Sequence, residues 1–382
     1  MAIPIVHVRG THYEIGQQVG WTFRHMIQDT LNTSTQLSDM ENLFEGEAGA
    51  GNYQDFLDRV KAEFPAYLKE LEGMVKGADV PFRKLFIFNL EDIMASFGRA
   101  QKYKNLLEGD DERDGCTTVY LNTDEKVIIG HNEDASAKSE HHFYIVSAEI
   151  RDEQFHSVES FSSFTYAGLL PGYCMGFNAA GIATSVNTLC PLNISVSGYP
   201  VSFVCRALLK AESLSHLELL LTQYSPVISN GFSLNVYAPT KSQELVELHN
   251  FEVAPGLLPY KTTVKKGSGY LHYNWYTMPG VKQSPNALVR YEARSSVAFQ
   301  MPLTCEQDVK EILSNDSHQT FPIFRRGTVE DNCRTLVTGL FDITEGKWKL
   351  YMGKSSETEP MVELEMPGSR TTPKFMTNGN PV

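Results

Sequence analysis

Asp114-Gly115-Cys116-Thr117-Thr118-Val119-Tyr120-Leu121 is where the chain changes character. Well before it, apolar residues recur at helical spacing: Ile15, Val19, Phe23 and Met26, then Phe56, Val60, Phe64 and Leu68, with Pro65 set to kink or end that segment. Directly before it lies a polar, charge-dense stretch, Glu108-Gly109-Asp110-Asp111-Glu112-Arg113, of the composition that exposed linkers carry. After it, β-type runs dominate. Residues 117–121 and 126–131 flank Asn122-Thr123-Asp124-Glu125, a hairpin signature. Residues 143–150 form another strand candidate, and 232–237 with 244–249 a second hairpin. Helices are expected over 200–210 and 215–223. Thr304 with Gln307 gives a capping-box pattern before a helix ending near Leu313, and 335–341 and 347–352 return to strand. Blocks of helix, strand, helix and strand predict sheets stacked between helical layers, an α+β fold.

The Gly115–Cys116 bond at this junction has a chemical reading. A chain cut there starts with a cysteine that carries a thiol and an α-amine on one residue. An unperturbed α-amine titrates at roughly 7.7–8.0, so it serves as a base near neutral pH without a distant histidine. The plainer reading is a small buried hydrophobe at the start of a strand. Eighteen residues on stands Asp134, within Gly130-His131-Asn132-Glu133-Asp134. On a strand, Asn132 and Asp134 share one face and Glu133 takes the other. The Asn132/Asp134 face is expected beside Cys116, with Asp134 holding the α-amine; the alternative is a polar strand end.

Composition narrows the function classes. The 382 residues are 42% hydrophobic and 21% charged, with net charge −13, which argues against a nucleic-acid partner. No run approaches 18 apolar residues, so no membrane span is expected. The opening Met1-Ala2-Ile3-Pro4-Ile5-Val6-His7 is too short and too soon charged for a secretory signal. The six cysteines form no CxxC pair, which predicts reduced thiols and a cytoplasmic location. HExxH, Walker and GxGxxG patterns are absent, so neither metal nor cofactor is expected.

Two amides sit in apolar strands. Asn187 closes a strand that follows the turn at Asn178-Ala179-Ala180-Gly181, and Asn235 lies within Phe232-Ser233-Leu234-Asn235-Val236-Tyr237. A buried amide needs partners. Each is therefore either paired structurally or aimed at a reacting carbonyl oxygen. Arg290 and Arg294 read as surface arginines, or as ion pairs holding a pocket.

These residues together resemble the acyl-coenzyme A:6-aminopenicillanic acid acyltransferase family of N-terminal-nucleophile hydrolases. The similarity runs in order along nearly the whole chain: Gly10-Thr11-His12-Tyr13-Glu14-Ile15-Gly16, Leu71-Glu72-Gly73 with Gly77-Ala78, Asp114-Gly115-Cys116-Thr117-Thr118, and the Cys116-to-Asp134 separation. Gly130-His131 with Glu133-Asp134-Ala135, Tyr166-Ala167-Gly168, Leu170-Pro171-Gly172-Tyr173, Asn187-Thr188, Ser233 with Asn235, and Ser356-Glu357-Thr358-Glu359-Pro360 look most like a branch that hydrolyses β-alanyl biogenic amines such as N-β-alanyl-dopamine and carcinine.

The resemblance implies an αββα sandwich in one domain, 1–382, self-cleaved at Gly115–Cys116 into a helical fragment, 1–115, and a catalytic fragment, 116–382, that stay together as a heterodimer. It implies Cys116 as nucleophile, Asp134 as the group orienting its amine, and Asn235 as oxyanion amide, with Asn187 and Asn132 as secondary oxyanion candidates. His272, Asn274 and Tyr173 are candidate pocket residues. Around 272–276 the chain departs from the family's pattern, with Tyr276 where a second histidine is usual. The partner implied is a small β-alanyl amine, with higher oligomers left open. Rival readings are an acyltransferase that passes the acyl group to an amine, and a binding protein on the same fold.

Overall fold

The computed structural model describes residues 2–45, 47–90, 115–195, 197–240, 246–328 and 333–367. The polar stretch at 101–114, the expected linker, lies outside the described residues, as does the start of the strand expected over 244–249.

Fourteen described strands build two sheets. In chain order they are β1 (Ile5–Gly10), β2 (Thr117–Asn122), β3 (Val127–Ser136), β4 (Phe143–Arg151), β5 (Ser157–Tyr166), β6 (Met175–Asn178), β7 (Ala183–Leu189), β8 (Gly231–Tyr237), β9 (Leu248–Val253), β10 (Tyr260–Val264), β11 (Ser268–His272), β12 (Cys333–Asp342), β13 (Lys347–Tyr351) and β14 (Val362–Glu365). The eight-stranded sheet runs β1-β4-β5-β6-β7-β8-β9-β10, and the six-stranded sheet runs β11-β2-β3-β12-β13-β14. Every pairing is antiparallel except β1 with β4.

Three apolar layers separate four structural ones. Ile15, Val19, Phe64 and Leu71 of the N-terminal helices, with Phe203 and Leu217, pack on Tyr144, Val146, Leu234 and Val236 of the large sheet. Tyr120, Ile129, Phe164, Phe177 and Trp348 fill the space between the sheets. Val119, Leu121 and Ile128 of the small sheet pack against Ala298, Val309 and Ile312 of the C-terminal helices. The result is an αββα sandwich. It is held together because each strand pair presents alternate residues to two different apolar layers.

Several local expectations shift. The hairpin on 117–131 forms, and its second strand runs on to Ser136. The partner of β8 is Leu248–Val253, later than 244–249. Residue 65 opens a helix, Pro65–Ala78, as its first-turn proline. The helix Glu306–Leu313 is capped by Cys305 with Asp308, not by Thr304 with Gln307. The shorter Asp308 carboxylate accepts from the backbone N–H groups of both Thr304 and Cys305, at 2.6 and 3.1 Å.

The helices His12–Thr22 and Pro65–Ala78 touch through glycines. A Cβ on Gly16 would lie 1.9 Å from the Glu70 carbonyl oxygen, and one on Gly73 would lie 2.0 Å from that of Tyr13. Backbone-to-backbone contact of this kind leaves no room for a methyl group. Gly73→Ala is expected to destabilise the fold by roughly 2–3 kcal/mol, as overpacking does. A chemical-denaturation midpoint unchanged by Gly73→Ala would contradict that packing.

Candidate active site

The register of the β2–β3 hairpin decides the site. Thr117 pairs with Asn132 and Thr118 with His131, so Cys116 falls opposite Glu133. Strand alternation then sends Cys116, Thr118, Tyr120, His131 and Glu133 to the space between the sheets. Thr117, Asn132 and Asp134 go to the helical layer. The expected split between Asp134 and Glu133 holds, but the thiol lies on the Glu133 side. The sulfur of Cys116, a ring nitrogen of His131 and a carboxylate oxygen of Glu133 all lie within 4.8 Å of one another. Cys116 is buried, with 4% of its surface exposed.

Between the sheets the polar groups form one continuous network. Asn235 Nδ2 donates to Asn187 Oδ1 at 2.8 Å, to Ser185 Oγ at 3.0 Å and to Thr118 Oγ1 at 3.1 Å. Its Oδ1 accepts from Tyr120 at 2.5 Å and from Asn250 at 3.0 Å. The Asn235 amide is thus fully engaged in fixing its neighbours. Asn187 is not: its Oδ1 takes hydrogen bonds from Asn235 and Thr118, while its Nδ2 is buried and has no partner. Thr118 Oγ1 also lies 2.8 Å from His131 Nδ1, and His131 Nε2 lies 3.4 Å from Glu133. Thr118 has one hydroxyl hydrogen and gives it to Asn187, so His131 Nδ1 is the donor toward Thr118 Oγ1.

The other face is built around a buried arginine. Arg294 lies 3.7 Å from Asp134 Oδ2, and its Nη1 donates to the Gly115 carbonyl at 3.4 Å and to Thr117 Oγ1 at 3.3 Å. Asp134 Oδ1 accepts from Thr335 at 2.6 Å, and Asp134 Oδ2 has no hydrogen-bond partner. Burial pushes the Asp134 carboxyl up to about 6 despite the opposing pull of Arg294 and Arg325. Burial likewise pushes Arg294 down to about 10, against the pull of Asp134. The Cys116 thiol is pushed well up, first by burial and then by Glu133 and Asp134. Gly115 has φ +154°, and a Cβ there would lie 1.9 Å from Asn274 Oδ1, so only glycine fits before the cysteine.

Asn132 does not join this centre. Its Nδ2 donates to the Leu313 and Ile323 carbonyls at 2.8 and 3.3 Å, and its Oδ1 accepts from Thr338 at 2.7 Å. It ties the small sheet to the helical layer, on the opposite face from the thiol, and this removes it from the oxyanion candidates. Tyr173 and Asn274 meet at Thr188, the first through its hydroxyl at 3.0 Å, the second through its carbonyl at 2.8 Å. His272 is held instead by Glu252, 2.9 Å from its Nε2. Glu252 stays below the usual carboxylate range because His272 and the backbone N–H groups of Thr277 and Met278 hydrogen-bond to it, outweighing its burial.

Arg294 and Glu133 were the residues least legible beforehand. A signal existed for each. Ala287, Arg290, Arg294 and Ala298 fall at helical spacing on the buried side of Pro285–Ala298, which is not where surface arginines sit. Counting back from the hairpin turn at 123–126 puts Glu133 opposite Cys116.

A family model described as acyl-coenzyme A:6-aminopenicillanic acid acyl-transferase matches residues 121–357, more than half of the chain. The chain belongs to that family. It is 29% identical to a beta-alanyl-dopamine/carcinine hydrolase of Drosophila melanogaster, over 96% of each chain. It is 26% identical to the 40 kDa form of an acyl-coenzyme A:6-aminopenicillanic-acid-acyltransferase of Emericella nidulans, over 59% of this chain and 57% of the other. The two-sheet α+β architecture agrees with the family fold. No helix among the described residues is long and apolar enough to cross a membrane.

Proposed function

We propose that this member of the acyl-coenzyme A:6-aminopenicillanic acid acyl-transferase family is a self-cleaving amidohydrolase that releases β-alanine from β-alanyl amines. The observation that carries the reading is the setting of the Gly115–Cys116 bond. Its carbonyl is held by Arg294 beside Asp134, and its thiol stands between the sheets with His131 and Glu133. Full-length similarity to a beta-alanyl-dopamine/carcinine hydrolase supports the substrate class.

In the uncut chain the Cys116 thiol attacks the Gly115 carbonyl carbon. The Arg294 guanidinium stabilises charge developing on that oxygen. The Cys116 nitrogen leaves with the thiol proton, giving a Gly115 thioester and a free α-amine, and water hydrolyses the thioester to the Gly115 carboxylate and the free Cys116 thiol. The new amine forms where Cys116 follows Gly115, the position the register places opposite Asp134, and Asp134 Oδ2 is available to accept from it. Fragments 1–115 and 116–382 stay together because the helices of the first share an apolar core with the large sheet of the second.

In the cut protein the α-amine takes the thiol proton, the thiolate attacks the β-alanyl carbonyl, and the α-ammonium returns that proton to the amine product as it leaves. Asn187 Nδ2 donates to the oxyanion while Asn235 and Thr118 hold its Oδ1. Water, deprotonated by the α-amine, then frees β-alanine. The test is to incubate the cut protein with carcinine or N-β-alanyl-dopamine and quantify β-alanine and amine. No release from either rejects the reading. The fungal acyltransferase relative supports a second outcome, in which an amine takes the acyl group instead of water. Product analysis with a competing amine separates the two.

Acid pH should stop the reaction. A carboxyl pushed up to about 6 is ionised above that pH and gains a proton as pH falls through it, so Asp134 ceases to hold the amine below about 6. Below pH 6, kcat/KM is expected to fall more steeply than tenfold per pH unit, because the α-amine and the Asp134 carboxylate both take up protons. Asp134→Asn should lower the rate at least about tenfold, equivalent to roughly 1.4 kcal/mol of barrier, and leave only the single-proton limb of the α-amine. A wild-type profile flat down to pH 5 would show that Asp134 carries no such role.

A further inference from the structure

We infer that Glu133 is the anchor for the substrate's terminal ammonium, and so the residue that makes the site select short ω-aminoacyl groups. The inference rests on the amidohydrolase reading and names its acyl-side specificity.

Two carboxylates flank Cys116, and they are differently equipped. Asp134 faces the helical layer and has Arg294 as its cation. Glu133 faces the thiol, is 5% exposed, and no lysine or arginine pairs with it among the described residues. One of its oxygens accepts from the Tyr166 hydroxyl at 3.0 Å, and the other lies 3.4 Å from His131 Nε2. These contacts orient the carboxylate, and neither comes from a lysine or arginine. A buried carboxylate beside a nucleophile, with no lysine or arginine against it, suits a ligand that brings a positive charge.

The dimensions agree. In an extended β-alanyl group the ammonium nitrogen lies about 3.8 Å from the carbonyl carbon, from standard bond lengths. An ammonium bonded to a carboxylate sits about 2.8 Å from its oxygen. A carbonyl placed for attack lies about 3–3.5 Å from the sulfur. These three lengths bridge a sulfur-to-carboxylate separation of no more than 4.8 Å, with the acyl chain bent over the gap. Tyr166 locks the carboxylate rotamer, and His131 is locked in turn by Thr118.

The experiment compares two amides of one amine, the β-alanyl amide and the butyryl amide, which puts a methyl where the ammonium was. Wild-type cut protein should favour the β-alanyl compound by about 100-fold or more in kcat/KM, the scale expected for an unpaired buried charge. In Glu133→Gln that ratio should collapse to within about fivefold. Free β-alanine should inhibit the wild type at concentrations where butyrate does not. If the wild type hydrolyses both amides equally, the amidohydrolase reading stands and the Glu133 anchor is overturned. If the ammonium is preferred and Glu133→Gln keeps the full ratio, the anchor is another residue and the inference is equally overturned. If neither amide is hydrolysed, the functional reading fails and takes this inference with it. Should Glu133→Gln not fold or mature, Glu133→Asp decides. It keeps the charge but withdraws it by one methylene, and the preference must drop at least about tenfold for the anchor to stand.

Discussion

Cys116→Ala is expected to remain one uncut chain and to hydrolyse no β-alanyl amine, with turnover lower by on the order of 10⁴-fold or more. The thiol supplies the attacking atom for both the backbone bond and the substrate; the other thiol between the sheets, Cys174, does not lie on the residue whose bond is cut. The nearest groups are a histidine bonded to Thr118 and a carboxylate held by Tyr166. The substitution removes one buried sulfur from a strand that is otherwise fully paired, so the fold should persist. Gel analysis and circular dichroism on the purified variant separate loss of chemistry from loss of structure. A Cys116→Ala chain that still divides at the same bond would mean that an external protease makes the cut.

Asn187→Ala should lower kcat by about 10²–10³-fold while leaving KM nearly unchanged, because an oxyanion donor acts on charge present only in the transition state. The reason to single out Asn187 is its buried, unpartnered Nδ2, a donor, whereas the unpartnered Asn250 Oδ1 in the same network is an acceptor and cannot stabilise an oxyanion. Leaving such a donor unpaired costs about 1–3 kcal/mol, which a bound oxyanion would recover. Asn235→Ala should also slow turnover, but by a different route. Removing it frees Asn187, Ser185, Tyr120 and Asn250 together, so a fall in thermal stability should accompany the loss. If Asn187→Ala keeps wild-type kcat while Asn235→Ala loses it at full stability, the two amides exchange roles.

The sequence carried the layer order well because the apolar spacing changes at Gly115. Helical stripes precede it, and Thr117-Thr118-Val119-Tyr120-Leu121 starts a strand buried on both faces. Strands rich in polar residues were harder to see. β5 carries Ser157, Ser160, Ser162 and Ser163, and β1 is a short segment with His7 and Arg9. Its parallel pairing with β4 is a long-range contact that no local pattern encodes. The candidate site shows the same limit. Alternation correctly put Asp134 and Glu133 on opposite faces, but which face holds the thiol depends on register across the turn. Arg294 was obscured because a charged residue on a helix reads as solvent-facing until the opposite layer shows what it touches. Asn132 looked equivalent to Asp134 by spacing, yet Leu313 and Ile323 claim its amide.

The most direct test of the account is the N-terminal sequence of the larger fragment of purified wild-type protein, with intact mass of both pieces. Self-cleavage requires a fragment beginning Cys116-Thr117-Thr118 and a co-purifying partner that ends at Gly115. An active protein whose chain is whole, or whose large fragment begins at any other residue, would contradict it.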